Sequence, residues 1–201
     1  MTTRSASTPR LRLTLAYYLL LVATTAVAGR VVISPPLDAV LALVALLFVS
    51  IGALGRIWAS VFIAGRKDTA LVTSGPYSLC RHPLYLFSFV GGLGIGIATR
   101  SLALTLLTLL VLAVLHVRAA AAEERSLASW HGPAFAEYCA RVPRWWPRWR
   151  RSTPPEALEV SPRVLWKAFV DASAFLLLYG MIELARAFRM SGLLPTLVWL
   201  P

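Results

Sequence analysis

Apolar runs long enough to cross a lipid bilayer constrain this chain before anything else does. A spanning helix needs about 20 apolar residues, because ~30 Å of hydrocarbon is covered at 1.5 Å per residue. Runs of this kind occupy Leu13 to Ala28, Leu37 to Ala64, Leu84 to Thr99 and Leu102 to about Ala122, and a fifth covers Val164 to Phe188. Composition agrees with them: of 201 residues, 58% are hydrophobic and 14% charged, where soluble domains carry about 25% charged. The expected fold is all-α, a polytopic integral membrane protein with about five transmembrane helices forming one membrane-embedded domain over residues 1–201.

Two of the runs have features of their own. The third is short and holds Gly91, Gly92, Gly94 and Gly96; Gly92 and Gly96 form a GxxxG spacing that suits close helix packing. The first follows Arg4, Arg10 and Arg12 and ends in Ala26-Val27-Ala28, which is also the outline of a secretion signal. Its long apolar stretch and the four runs after it make a retained span the expectation.

Charge sets the orientation. Lys and Arg number 20 against 9 acids, a net charge of +11. Basic residues within loops accumulate on the cytoplasmic side of a membrane. With the N-terminus inside, that side collects Arg4, Arg10 and Arg12, then Arg66, Lys67 and Arg81, then nine residues from Arg118 to Lys167. Outside lie only Arg30, Arg100, Arg186 and Arg189, with Arg56 inside the second run. The N-terminus and the loops facing it are therefore cytoplasmic and the C-terminus external. Leu193 to Leu200 is too short to cross again and is assigned to the outer interface. The Ala, Leu and Arg content reads as bacterial, hence an inner membrane. A nucleic-acid partner is not expected, since the basic residues alternate with runs too apolar for a soluble core. Cys80, Cys139 and three scattered histidines give neither a disulfide framework nor a metal-ligand spacing.

Two inner segments carry the candidate chemistry. In the first, LVTSGPYSLCRHPLY from Leu71 to Tyr85, Gly75-Pro76 signals a turn. Pro83 keeps His82 out of helical geometry, so that the next helix starts cleanly. Free backbone N–H groups at that start, with the forked cation of Arg81 beside them, suit a carboxylate or another acceptor. The second begins at Glu123-Glu124 and continues through Trp130-His131-Gly132-Pro133 to Tyr138, Arg141, Val142 and Pro143. Adjacent carboxylates at a membrane boundary require solvent or cations. Phe135, Tyr138 and Val142 recur at helical spacing, which predicts a short amphipathic helix after Gly132. Trp145, Trp146 and Trp149 among Arg144, Arg148, Arg150 and Arg151 read as an anchor at headgroup depth. Along the fifth run, Lys167 with Asp171 and Glu183 with Arg186 can pair on their own helix. His116 and Arg118 lie close enough in sequence to the diacid to border a polar pocket.

The ordered set LVTSGPYSLCRHPLY, hydrophobic hairpin, EERSL and HGPAFAEYCARVP resembles the isoprenylcysteine carboxyl methyltransferase family and the related phospholipid N-methyltransferases, over Leu71 to about Pro147. The resemblance implies a small membrane enzyme that uses S-adenosyl-L-methionine, with a cofactor-binding core at 66–150, an inner-face pocket and an extra span at 164–188. It implies that Gly75, Pro76 and Tyr77 shape the cofactor loop and that Arg81, His82, Pro83 and Tyr85 contact the cofactor. Glu123 or Glu124 would engage its amino acid moiety, with Glu124 also a catalytic candidate; Tyr138 would pack on it or bond to it, and Arg141 would lie towards the acceptor as a second catalytic candidate. Ala119 to Ala122 stands where some relatives have a more acidic run, which leaves the two glutamates undistinguished.

The implied chemistry needs alignment more than covalent help, since a methyl group on a sulfonium is already activated. A carboxylate or thiolate acceptor needs no base. A phenol or an ammonium does, and His82, His131, Glu123 and Glu124 are the nearby candidates. The acceptor expected from a membrane site is lipophilic: a lipid, quinone-like, polyketide-like or prenylated molecule whose tail stays among membrane lipids. Two other classes share features with the chain. Sterol-type NADPH-dependent membrane reductases carry similar HPxY and YCxxVP elements but have more spans, and a non-catalytic membrane scaffold could retain the same fold.

Overall fold

The structure, a computed structural model, describes residues 7–27, 33–64, 70–148, 158 and 160–193. It is all-α, with α1 at Ser7–Val27, α2 at Pro35–Ile63, α3 at Pro83–Ala98, α4 at Leu102–Arg141 and α5 at Pro162–Met190, and a 3₁₀ turn at Gly75–Ser78. Arg4, Arg30, Arg66, Lys67, Trp149, Arg150, Arg151 and nearly all of the tail assigned to the outer interface lie outside the described residues.

Among the described residues three helices, α2, α4 and α5, are long and apolar enough to cross a bilayer; Thr14–Val27 and α3 are apolar but shorter. The expectation of about five full-length spans is corrected to this extent. At 16 residues, α3 rises about 24 Å, less than the hydrocarbon core. The fourth span also does not stop near Ala122: α4 continues helically up to the kink at Gly132, about 45 Å and longer than that core. The amphipathic helix expected after Gly132 is the part of α4 beyond a kink, where Gly132 adopts non-helical φ 45° and ψ −118° before Pro133. Phe135 and Tyr138 are its buried residues, as their spacing implied.

The helices alternate in direction, so the ends of all five collect into two polar caps. Between the caps one core layer draws on every helix: Leu21, Ala45 and Val49, Ile95 and Ala98, Leu104, and Ile182. Glycines set the closeness of α3 to its neighbours. A Cβ on Gly52 would lie 2.5 Å from the Gly91 Cα, so α2 and α3 meet backbone to backbone. The GxxxG pair faces the other way, with Gly92 against Leu112 and Gly96 against Thr105 of α4. Small residues let α3 sit between two long helices at van der Waals distance.

At one cap, Arg100 bonds Asp38 at 3.0 Å and Glu183 at 2.9 Å, while Arg186 bonds Asp38 at 2.6 Å and Glu183 at 2.7 Å. The pairing of Glu183 with Arg186 along α5 was legible in the sequence; Asp38 and Arg100 extend it to a four-member ring across α2, the α3–α4 turn and α5. Arg189 adds a bond from α5 to the Thr25 carbonyl of α1 at 2.8 Å. Lys167 pairs with Asp171 at 2.7 Å, as expected. The opposite cap carries the two inner segments.

Candidate functional site

The loop before α3 is held from both sides. Gly75 sits at φ 58°, in the left-handed region, and a Cβ there would be 2.2 Å from the Phe62 ring at the end of α2. Only glycine meets both conditions without strain. The Ser78 hydroxyl donates to the Gly75 carbonyl at 2.6 Å. From the other side, the Tyr138 hydroxyl donates to the Tyr77 carbonyl at 2.7 Å. The Arg81 amide donates to the Pro143 carbonyl at 2.9 Å, and the Arg148 amide to the Leu79 carbonyl at 3.0 Å. The far end of α4 and the segment after it thus clamp the loop to the bundle. His82 precedes α3 with φ −126° and ψ 59°, and Pro83 opens the helix, which is the boundary its sequence requires.

Glu124 is the electrostatic centre. Its Oε1 lies 2.9 Å from His82 Nε2 and 3.0 Å from Arg81 Nη1, and its Oε2 lies 3.1 Å from Arg144 Nη2. Glu123 stands 3.7 Å from His82 Nδ1 and is the more open of the two, with 32% of its side chain exposed against 19% for Glu124. The His82 side chain is 3% exposed, so the cluster is dry enough for its charges to interact strongly. Arg81 Nη1 also reaches the Cys139 sulfur at 2.9 Å. Tyr85 stacks on one side of His82 at 5.6 Å between centroids, and Trp145 lies against it at 5.4 Å. His116 stacks on Tyr85 at 5.1 Å.

Burial raises the Tyr77 and Tyr138 phenols well above the ordinary tyrosine range; for Tyr77 the nearby Glu123 carboxylate adds to the effect. Both remain hydrogen-bond donors at neutral pH. Burial likewise pushes the Cys80 thiol up to about 11, against a smaller opposing effect from the His82 backbone, so that it is not a nucleophile under ordinary conditions. Among the described residues the buried Tyr77 hydroxyl, Arg81 Nε and Arg144 Nε have no hydrogen-bond partner. Three donors around one carboxylate pair, each costing free energy while unmet, suit a polar ligand rich in acceptors. Against the outer side of the loop lies an apolar cleft of ≈ 100 Å³, lined by Trp58, Pro76, Leu79, Cys80, Pro83 and Leu86 among others.

The structure brings together Gly75, Pro76, Tyr77, Arg81, His82, Pro83, Tyr85, Glu123, Glu124 and Tyr138. It leaves Arg141 aside: 60% exposed, Arg141 pairs with Glu137 one turn back on α4. Arg144 stands on Glu124 instead, and Trp145 on His82. Their composition alone reads as a membrane anchor; what separates them from the other Arg and Trp residues is their position right after Val142-Pro143, where the Pro143 carbonyl binds the loop. Arg118 is exposed on α4, away from its buried stripe.

Comparison with known proteins adds the following. The phospholipid methyltransferase family matches residues 36–134. The cobalt-zinc-cadmium resistance protein CzcN of Cupriavidus metallidurans is 39% identical over 155 residues, 77% of this chain and 71% of that protein. The nickel-cobalt-cadmium resistance protein NccN of Alcaligenes xylosoxydans xylosoxydans is 34% identical over 82% of this chain and 77% of its own. The protein-S-isoprenylcysteine O-methyltransferase of Schizosaccharomyces pombe is 36% identical over 77 residues, 38% of this chain and 33% of that protein. No solved structure matches the chain.

Proposed function

Since the chain belongs to the membrane methyltransferase family that includes the phospholipid and isoprenylcysteine carboxyl methyltransferases, we propose that it transfers a methyl group from S-adenosyl-L-methionine to a lipophilic acceptor at the cytoplasmic face of the membrane. One observation carries the reading beyond family membership. The buried cluster on Glu124 ties together the loop before α3, the middle of α4 and the segment after α4, and beside it stand three buried donors, the Tyr77 hydroxyl, Arg81 Nε and Arg144 Nε, that could serve a polar ligand.

The residues present fit that cofactor. Glu123, the more open carboxylate, suits its ammonium group, and Arg81 Nε with the Tyr77 hydroxyl suit its carboxylate and ribose oxygens. When bound, the cofactor supplies a methyl group already activated on a sulfonium. The work left to this chain is to hold that group against its acceptor and keep water out. Glu124 does so indirectly, by fixing Arg81, His82 and Arg144; Tyr138 fixes the loop; Trp145 and Tyr85 cover the two sides of His82. Arg141 is given no role here. The acceptor's tail would remain among membrane lipids while its head reaches the cluster.

The names of two relatives speak of metal resistance. On the methyl-transfer reading, this chain's contribution to such resistance would be a methylated lipid-like component of the membrane. Incubating membranes that contain the protein with methyl-labelled S-adenosylmethionine, followed by lipid extraction and mass spectrometry, tests the proposal. A lipid gaining one methyl mass, together with micromolar binding of S-adenosylhomocysteine by the purified protein, is the expected result. Binding of NADPH in place of S-adenosylhomocysteine would refute it.

A further inference from the structure

One titratable group next to the cluster has no part in the mechanism as described. His116 lies on the apolar stretch of α4, is 9% exposed, and belongs to the buried stripe Leu104, Thr108, Leu112, His116 and Ala120. It stands two helical turns from Glu123, about 10 Å deeper in the bilayer. Its ring is 24° from parallel to Tyr85, and Tyr85 is 26° from parallel to His82. A column of three rings therefore runs from the ion-paired glutamates into the membrane. An imidazole at that depth costs free energy that a leucine or phenylalanine would not. What it offers instead is a ring nitrogen able to accept a proton.

Resting on the methyl-transfer reading, we propose that His116 accepts the acceptor's proton, and that the acceptor is a lipid whose head carries a phenol-type hydroxyl. The hydroxyl proton passes to an imidazole nitrogen of His116. The acceptor's oxygen bonds the methyl carbon as the carbon–sulfur bond breaks, and that electron pair stays on sulfur, leaving a neutral thioether. The imidazolium then returns its proton to water. A carboxylate head would need no base and would give His116 nothing to do. An ammonium head would carry a second cation towards a sulfonium donor, which disfavours it, whereas the same donor would ease ionisation of a hydroxyl. The depth of His116 matches the head of a molecule whose tail lies in hydrocarbon.

The test uses the full-length protein in nanodiscs of phosphatidylethanolamine and phosphatidylglycerol, with 3-pentadecylphenol as acceptor and hexadecylamine and hexadecanoic acid as comparisons. His116→Phe keeps a ring on Tyr85 and His116→Ala removes it. The parent should methylate the alkylphenol. Both variants should lose about 100-fold or more in rate, with S-adenosylhomocysteine binding within about twofold of the parent. Without cofactor, His116→Phe should bind the alkylphenol roughly 10-fold more weakly, as for one lost hydrogen bond. A His116→Phe protein that transfers at the parental rate overturns the proposal, since the ring would then serve packing alone. So does a parent that binds S-adenosylhomocysteine yet methylates only the amine, only the acid, or none of the three. A parent that fails to bind S-adenosylhomocysteine refutes methyl transfer itself, and this inference with it.

Discussion

A carboxylate already bonded by two guanidinium groups and an imidazole has little left for a ligand, and Glu124 is such a carboxylate. Its neighbour Glu123 has the exposure a ligand needs, which divides the pair where the sequence, two identical residues side by side, had no means to. Glu124→Gln should lower the thermal stability of the purified protein by about 2–3 kcal/mol, the cost of stranding Arg81, His82 and Arg144 in a largely buried site. Glu123→Gln should unfold at the parental temperature yet bind S-adenosylhomocysteine at least about 10-fold more weakly, the loss of one charge-assisted bond; calorimetry reads both. Cys80 gives a pH prediction. Its thiol is raised from 9.0 to about 11 in the fold, so its contribution to stability is intact below pH 9 and is lost as pH rises towards 11, where the unfolded chain ionises first. Cys80→Ala should flatten the alkaline limb of the unfolding temperature between those values.

At the scale of elements, α3 is the helix that the others must accommodate. Its glycines were visible in the sequence, but the GxxxG pair pointed to only one of its two contacts. The approach to α2 uses Gly52 and Gly91, which lie on different runs and so form no local motif. Gly52→Ala places a methyl group 2.5 Å from a backbone atom that no rotamer change can move. It should cost about 1–3 kcal/mol, seen as a lower unfolding temperature in detergent, whereas Gly180→Ala, with nothing within 4 Å of the added carbon, should be neutral or slightly stabilising. The long α4 illustrates the converse problem. Periodicity identified a helix before Ala122 and another after Gly132, yet nothing local says that Glu123 to His131 continues the first. The continuation matters to the site, because it carries the glutamates and, beyond the kink at Gly132, Tyr138 to the same loop.

Across the whole molecule, the two caps have different jobs. The ring of Asp38, Arg100, Glu183 and Arg186 balances its own charges and joins α2, the α3–α4 turn and α5, whereas the opposite cap gathers Arg81, His82 and Arg144 on the single carboxylate of Glu124. Arg100 occupies φ 59°, a left-handed conformation that costs an arginine about 1–2 kcal/mol and that its bonds to Asp38, Glu183 and the Ala98 carbonyl hold in place. Arg100→Ala should destabilise the bundle by about 2–3 kcal/mol, discounted from a fully buried pair because both acids are about a quarter exposed. Arg100→Gly should lose less, since it sheds the strained backbone along with the charge. Methyl transfer should survive both variants below their unfolding temperatures, because this ring is at the far end from the cluster.

The sequence by itself determined the class of protein, the order of its apolar helices, an expected sidedness from its basic residues and the two segments that the fold brings together. Each of these follows from local quantities: the length of an apolar run, the count of basic residues in a loop, the backbone limits of Gly75 and Pro83. Tertiary structure alone decided which glutamate is structural, that Arg144 and not Arg141 reaches the cluster, that His116 stacks into it, and that four charges from three distant segments close the opposite cap. Those outcomes depend on how α4 passes the loop before α3, a register set by glycine contacts and by side chains dozens of residues apart.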